Sequence, residues 1–375
     1  MPVTGCGLEL VEALHLIGGQ LDAVGGGVLL DAGDAAGAGD RALYTRAVAN
    51  IFDVAKAAGV SHQTVSRVLN RDETVGHALR VRVEAAIQGL DYRPNAAARA
   101  LARRRTRTIG LLVVGLPFHG PASIANGVNA AARASGWDVA IAATDGIDGG
   151  DVSEAAHALL GQDVRAVVVV APGPSAGAAL ADIASRLPVV TSVDVVPGGA
   201  AVPVDNEAGA VLAVEHLAGL GHREVLHLAG PEGWTDADQR IAGWRAASAR
   251  LGLPAPEMLR GDWSSAGGYA LGHRVADGGA PTAIFSANDQ TALGVLAAFR
   301  ERGVRVPEDV SLVGFDDIPE SAFFAPPLTT LRPDFVDLGH RMLQRVEQLL
   351  AGEAFEMPEA LVPELVVRAS TGAPR

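Results

Sequence analysis

The residues best suited to form hydrogen bonds with a binding partner lie in the stretch NIFDVAKAAGVSHQTVSRVLN, residues 50–70. Its second half predicts a short helix with Val65 and Val68 on the inner face. The outer face carries side chains that can form hydrogen bonds: His62, Gln63, Ser66 and Arg67. Amide and guanidinium groups can pair with base edges in the major groove of DNA, and they are also common on helix faces that meet water. Both interpretations are open at this point.

A first helix and a tight turn are predicted to precede that helix. An apolar stripe at helical spacing begins at Ile51, and Asn50 before it is a favourable N-cap residue. Gly59 can adopt the positive φ that ends a helix and turns the chain, after which Ser61 can cap the second helix. Two helices joined by a short turn with Gly describe either a DNA-binding helix-turn-helix or an ordinary helical hairpin. The pattern alone does not separate the two.

Two further segments extend this unit. Residues 77–89 predict a third helix, whose apolar residues at helical spacing are Leu79, Val83, Ala86 and Ile87. Residues 92–108, YRPNAAARALARRRTRT, favour helix and contain six arginines but no acidic residue. A buried linker helix with that composition is unfavourable, so the segment favours a nucleic-acid partner.

These segments closely resemble the LacI/GalR family of bacterial transcription regulators. The resemblance rests on the runs DVA, GVS, TVSR, VLN and YRPN, which occur here in the family's order. It implies a helix-turn-helix DNA-binding domain at residues 49–92 and a hinge helix at 93–106. The DNA-binding residues that it implies are Ser61, His62, Gln63, Thr64, Ser66, Arg67, Asn70, Asn95, Ala98 and Leu101.

The resemblance also divides the DNA contacts by role. His62, Gln63 and Arg67 fall where the family contacts base edges, and Gln can pair with adenine and Arg with guanine. Leu101 matches the family's leucine wedge, which enters the minor groove at the centre of the operator and bends the duplex. The structural alternative for Leu101 is a packing residue of a linker helix.

The composition is that of a folded chain from a reducing compartment. Of 375 residues, 49% are hydrophobic and 19% charged, which suffices for a full core and for two or three domains. The single cysteine, Cys6, excludes a disulfide framework within the chain. No apolar run predicts a membrane span, and Glu9 and Glu12 in the N-terminal stretch argue against a signal peptide. We expect a bacterial cytoplasmic, nucleoid-associated protein.

The net charge of −13 conceals an uneven distribution. Residues 50–108 carry 11 Lys and Arg against 5 Asp and Glu, whereas residues 1–49 carry 2 against 6. Because phosphate contacts dominate non-specific affinity for DNA, the basic segment supports DNA as the partner. A solvated basic helix has a similar composition.

Residues 1–48 depart from the family's pattern. They are rich in Gly, Ala and Asp and include the low-complexity run DAGDAAGAGD. We expect a disordered extension or a start codon placed too far upstream. The negative charge of this segment argues against an arm that binds DNA.

From residue 107 onward, apolar runs of strand length alternate with helical segments. The first run is TIGLLVVG at residues 108–115, and a later one is VRAVVVVAP at 164–172. This alternation predicts parallel sheets covered by helices on both faces. With the resemblance, the predicted fold class is α/β, with a helix-turn-helix headpiece and hinge helix followed by a two-lobed, periplasmic-binding-protein-like (type I) core of doubly wound parallel sheets.

The resemblance divides that core into two lobes with a ligand cleft between them. The effector-binding and dimerisation domain is predicted at residues 107–370, with an N-lobe at about 107–204 and 333–365 and a C-lobe at about 205–332. Ligands of such folds bind at the carboxyl ends of the strands. The effector-binding residues implied by the resemblance are Phe118, Pro121, Ile124, Asp194, Arg240, Trp263, Asn288, Asp316 and Phe335.

Carboxylates, an amide and a guanidinium suit the hydroxyl groups of a neutral sugar, and an indole can pack on its ring. The same residues have structural alternatives, because Asp316 can cap a helix, Arg240 can form an ion pair and Trp263 can be a core residue. Asp236, Asp238 and Pro333 depart from the residues at matching positions of the family members that the chain most resembles. The identity of the sugar therefore does not follow from the resemblance.

The expected function is a transcriptional repressor of a sugar-utilisation operon, released by a galactoside-like effector. Its expected partners are double-stranded DNA with a pseudopalindromic operator, the sugar, and a second copy of the chain in a homodimer. No catalytic residue, metal ligand set or cofactor is predicted, because glycine-rich phosphate loops, nucleophile elbows and His or Cys clusters are missing from the sequence. The alternatives are a solute-binding protein with the same core, a regulator that answers a different effector, and a glycoside-processing enzyme that uses Asp194 and Asp316.

Overall fold

The computed structural model describes residues 49–69, 74–90, 92, 107–145, 149–196, 199–279, 281–353 and 359–375. The chain divides into two compact units, Met1–Ala96 and Ala97–Arg375. The predicted extension at 1–48 and the predicted hinge helix at 93–106 lie outside the described residues. So do four of the predicted DNA-binding residues, which are Asn70, Asn95, Ala98 and Leu101.

Three helices form the described part of the first unit: α1 at Ile51–Ala58, α2 at His62–Leu69 and α3 at His77–Gly89. Helix α1 begins with a capping box, in which the Asn50 side chain accepts from the amide of Asp53 and the Asp53 carboxylate accepts from the amide of Asn50. Gly59 ends α1 with φ of 62°, a conformation that residues with a Cβ adopt at a cost. The predicted helix starts and the predicted turn are confirmed.

The core of this unit is small and aliphatic. Val54, Val65, Val83 and Tyr92 are buried in one cluster. Leu79, which the sequence places on the apolar stripe of this helix, does not join them, because it is 38% exposed. Helix α3 has 13 residues against 8 in each of the other two, so its first turn extends past the core that the three helices share.

The second unit begins with a five-stranded parallel sheet. Its strands are β1 (Thr108–Val114), β2 (Asp138–Thr144), β3 (Val167–Val170), β4 (Val189–Thr191) and β5 (Ala200–Ala201). The helices between them are α4 (His119–Ala134), α5 (Gly149–Leu160) and α6 (Gly177–Ala184). The strands lie in the order β2-β1-β3-β4-β5. Alternate residues of β1 pack on opposite faces, with Leu111 toward α4 and Leu112 toward α5.

A six-stranded sheet follows. Its strands are β6 (Leu226–Ala229), β7 (Leu259–Arg260), β8 (Ala283–Ser286), β9 (Ser311–Phe315), β10 (Thr329–Arg332) and β11 (Glu364–Val366). The covering helices are α7 (Asn206–Gly219), α8 (Thr235–Leu251), α9 (Ser265–Asp277) and α10 (Asp289–Arg302). The order is β11-β10-β9-β8-β6-β7, and all neighbours are parallel except β11, which is antiparallel to β10.

The chain crosses between the two sheets more than once. Helix α11 (Phe335–Ala351) returns to the first sheet, where Leu338 and Met342 pack with Ile109. The chain then enters the second sheet again as β11. The predicted N-lobe range 333–365 therefore includes a strand that belongs to the other sheet. A strand of three residues is too short to show an alternation in the sequence.

No helix among the described residues is both long and apolar enough to cross a membrane.

Candidate ligand cavity and DNA-binding helix

A cavity lies between the two sheets of the second unit. Its lining comes from loops that follow the strands, as expected of doubly wound sheets, and from the N-terminal parts of α4, α7, α8 and α11. The lining residues are Phe118, Gly120, Pro121, Ile124, Ala171, Ser192, Val204, Asn206, Trp234, Asp236, Arg240, Trp263, Asn288, Asp316, Pro333, Phe335 and Leu338.

Arg240 is the centre of the polar part of the cavity. Its guanidinium donates from Nε to Asn206 Oδ1 at 2.9 Å and from Nη1 to the carbonyl oxygen of Ala287. Nη2 lies 3.6 Å from Asp316 Oδ1. The same group lies 3.6 Å from the ring centre of Phe315, so packing below and hydrogen bonds at the edge fix its plane.

Two carboxylates share that single guanidinium. Burial raises the pKa of Asp316 to about 7, against the opposing effect of Arg240, and the charge of Asp236 raises it further. Withdrawal from water also raises the pKa of Asp236, although Arg240 and a hydrogen bond from Asn206 oppose the shift. The Asn206 amide donates to Asp236 Oδ1 at 3.1 Å. The cavity therefore contains two acidic groups, and the Asp316 carboxyl is partly protonated near neutral pH.

Asn288 and Trp263 are joined through the backbone. The Asn288 side chain caps α10 by accepting from the amide of Thr291 at 2.9 Å, and it donates from Nδ2 to the carbonyl of Trp263 at 3.0 Å. Trp263 has φ of 69° and Asp316 has φ of 104°. Residues with a Cβ rarely adopt positive φ values. Those that do are concentrated at functional sites.

Aromatic rings form the apolar walls. Trp234 meets Trp263 at 81° with 6.0 Å between ring centres, and Phe118 meets Trp234 at 83° and 5.8 Å. Gly230 makes room for Trp263, because a Cβ at Gly230 would lie 2.2 Å from the indole. The edge-to-face rings make a corner that suits the apolar face of a small ring.

Eight of the nine sequence-predicted effector residues line this cavity. They are Phe118, Pro121, Ile124, Arg240, Trp263, Asn288, Asp316 and Phe335. Asp194 does not, since it lies exposed after β4, outside the lining.

Sequence reasoning missed Asn206 and Trp234 as cavity residues, and it noted Asp236 only as a departure from the family. Trp234 stands in a loop after a strand, as Trp263 does, and that shared position is the signal that marks it. Asn206 is the first residue of α7 and is 2% exposed, and its contact with Arg240 spans 34 positions of sequence. No local pattern reveals such a contact.

The polar face of α2 is the second site. Ser61 Oγ accepts from the amide of Thr64 at 3.2 Å and so caps the helix. His62, Gln63 and Arg67 are exposed side by side, whereas Ser66 is half-buried.

A helix-turn-helix unit with an exposed polar face, followed in one chain by a two-sheet core with a polar cavity, defines a ligand-responsive transcription regulator. Comparison with known proteins agrees. Residues 50–95 match the family of bacterial regulatory proteins, lacI family, and residues 214–371 match the periplasmic binding protein-like domain.

Relatives match over most of the chain. The lactose operon repressor of Escherichia coli (strain K12) is 36% identical over 86% of this chain and 91% of its own length. The ribose operon repressor of the same strain is 33% identical over 78% and 90%. A crystal structure of the lac repressor dimer bound to operator and the anti-inducer ONPF is 34% identical, covers 87% of this chain and all of that chain, and has a TM-score of 0.79. The chain belongs to the lacI family of bacterial regulatory proteins, which confirms the predicted family and fold class.

Proposed function

We propose that this chain is a DNA-binding transcriptional repressor that leaves its operator when a sugar-class effector fills the cavity between the two sheets. The observation that carries the proposal is the presence, in one chain of this family, of an exposed polar recognition helix and a polar, aromatic-walled cavity. The relatives that are named repressors of the lactose and ribose operons support the sugar class. Acting on DNA places the protein in the bacterial cytoplasm, at the nucleoid.

Helix α2 is proposed to enter the major groove. Gln63 and Arg67 are exposed, and their amide and guanidinium groups can form bidentate pairs with adenine and guanine. His62 lies 5.2 Å from the ring of Phe52, which is exposed on α1, so the two rings form an apolar edge beside the polar face. Ser61 and Thr64 are engaged in capping, and we assign them to phosphate contacts that position the helix.

The proposed DNA contacts of the hinge helix rest on the family resemblance. Asn95 and Ala98 are proposed to lie near the floor of the minor groove, with Leu101 as the wedge that unstacks a base step. The same minor-groove geometry requires two copies of the chain, one for each half-site. A homodimer on a pseudopalindromic operator follows, in keeping with the lac repressor dimer among the solved relatives.

The effector is proposed to act by changing the relative pose of the two sheets. Its contacts come from both, for example from Phe118 after β1 and Asn288 after β8. A ligand that binds one pose more tightly shifts the population toward it. The coupling is reciprocal, so operator DNA must weaken effector binding by the same factor by which the effector weakens DNA binding.

The DNA half of the proposal is tested by selecting duplexes from a random pool with the full chain and measuring their affinity by fluorescence anisotropy. We expect the selected sites to be two-fold symmetric. Arg67→Ala should lower affinity for the selected site by about 1–3 kcal/mol and relax selection at one base position in each half-site.

Lys56→Ala is the matched control, because it removes one positive charge from an exposed position on α1. It should weaken binding equally on all sequences or leave it unchanged. If Arg67→Ala behaves in the same uniform way, Arg67 contacts phosphate and not a base. If no symmetric site is enriched, the repressor proposal fails.

A further inference from the structure

The hydrogen-bond donors and acceptors that line the cavity differ in how many partners they have within the protein. The side-chain donors are largely engaged, since Arg240 donates to Asn206 and to Ala287. The Asn206 amide donates to Asp236, and the Asn288 amide donates to the carbonyl of Trp263. Two donors remain for a ligand among the described residues: Trp263 Nε1, which is buried without a partner, and Arg240 Nη2, whose contact with Asp316 is 3.6 Å long.

The acceptors are not satisfied to the same degree. Asp316 is 7% exposed and lines the cavity. Among the described residues its carboxylate has one charged contact, the Arg240 nitrogen at 3.6 Å, which is longer than a hydrogen bond. A carboxylate buried to that degree is stable only when a donor or a proton compensates it.

The charges are unequal as well. Arg240 is the only positively charged residue of the described lining, which contains two carboxylates, Asp236 and Asp316. Asp289, a third acidic residue nearby, is fully buried and accepts from Thr330 and from the amide of Ile318, and burial raises its pKa well above the ordinary value. The lining thus places two acidic groups beside one guanidinium, and a ligand cation would stabilise both in their ionised forms.

The aromatic corner favours the same kind of ligand. Trp234 and Phe118 line the cavity, and among the described residues no cation lies over their rings, whereas Trp263 and Phe315 already lie beside Arg240. Aromatic faces attract cations that have been removed from water, and they pack equally well on the apolar face of a sugar ring.

We infer that the effector of this chain is a sugar-like ring that bears a protonated amino group, and that Asp236 and Asp316 hold its ammonium group. The inference rests on the proposed function, in which the cavity ligand is the effector. The ammonium donates to the Asp316 carboxylate and restores the balance of charge around Arg240, while ring hydroxyls contact Asn206 and Asn288. A sugar acid or sugar phosphate would add negative charge beside the two carboxylates and is excluded.

Asp236 is the specificity-determining residue in this arrangement. Asp316 has the one charged contact with Arg240, at 3.6 Å, and Asp236 adds a second acidic group to the same lining. An asparagine at position 236 can still accept from the Asn206 amide, and it removes that second acidic group without changing the size of the side chain.

The test is isothermal titration calorimetry of the full chain at pH 7 with matched sugars. Galactose and glucose are each compared with the sugar that carries an amine at C2, with the one that carries it at C6, and with the uronic acid. We expect one amine to bind about tenfold or more tightly than its parent sugar and the uronic acids not to bind. Amine binding should also release a proton as the carboxyl group ionises, seen as a dependence of the enthalpy on the buffer.

Asp236→Asn should abolish the amine preference, measured as the ratio of the amine's affinity to that of its parent sugar on the same variant. Asp238→Asn is the matched control, because Asp238 is exposed on the same helix and outside the lining; it should keep the preference. Asp316→Asn should also remove the released proton. Parent sugars that bind as tightly as the amines overturn the inference alone, and so does a preference that survives Asp236→Asn. Failure of every sugar to bind overturns the sugar effector itself.

Discussion

At the scale of single residues, Arg240 connects the parts of the cavity that come from different segments. It bonds to Asn206 at the start of α7 and to the backbone after β8, and it pairs with Asp316 after β9. Each partner is buried. Removal of one partner from such a group leaves buried charges uncompensated, which costs more than the interaction itself contributes.

Arg240→Met is therefore expected to lower the free energy of unfolding by roughly 3 kcal/mol and to abolish effector binding. Urea unfolding followed by circular dichroism measures the first effect. Arg250→Met is the control, since Arg250 pairs with Glu215 at 2.6 Å on the surface and should cost less than about 1 kcal/mol. If both substitutions lower the free energy of unfolding equally, the network around Arg240 contributes no more to stability than a surface ion pair does.

The pKa of Asp316 predicts how stability depends on pH. The carboxyl loses its proton near its ordinary pKa of 3.8 in the unfolded chain but keeps it until about 7 in the folded chain. The folded state thus binds more protons between these values, so stability falls as pH rises through this window and levels off above it.

The comparison with Asp316→Asn isolates this group. The difference in unfolding free energy between the natural chain and the variant should fall by up to about 1.4 kcal/mol for each pH unit between pH 5 and 7. Other titrating groups, such as the half-buried His119, contribute to both proteins and cancel. A difference that is constant over this range contradicts the raised pKa.

At the scale of elements, much of the structure follows from local chemistry. A few adjacent residues determine each feature of the headpiece. The structure has the cap at Asn50, the turn at Gly59 and the polar face of α2 as the sequence predicts. Helix α3 begins and ends where periodicity predicts, at His77 and Gly89. The two-residue strands β5 and β7 carry no such signal, because their place depends on neighbours distant in the chain.

The turn of the helix-turn-helix gives a prediction at this scale. Gly59→Ala puts a Cβ on a residue with φ of 62° and 3.4 Å from the Arg82 side chain, which should lower headpiece stability by about 1 kcal/mol and weaken operator binding. Gly89→Ala is the control, because Gly89 closes α3 with ordinary φ and nothing within 4 Å of the new Cβ. It should be neutral or stabilising by a few tenths of a kcal/mol. Thermal unfolding and anisotropy on the same samples measure both effects, and equal behaviour of the two variants contradicts the role given to Gly59.

At the scale of the whole molecule, the alternation of strands and helices predicts two sheets and a cleft between them, but not which side chains fill the cleft. Phe118, Asp236 and Asp316 come together from segments far apart in sequence. The family resemblance supplied most of them, and it also supplied Asp194, which lies outside the lining. Hydrophobic periodicity does not predict which strand-end residues line the cavity, because the conformation of the following loop determines the direction of their side chains.

The central claim is that occupancy of the cavity and occupancy of the operator are coupled. It is tested most directly by measuring the affinity of the full chain for its selected operator with and without a saturating sugar, and the affinity for that sugar with and without operator. The account predicts that both affinities fall by the same factor, within the usual range of about 5- to 150-fold for such coupling. A sugar that saturates the cavity and leaves operator affinity unchanged would contradict it.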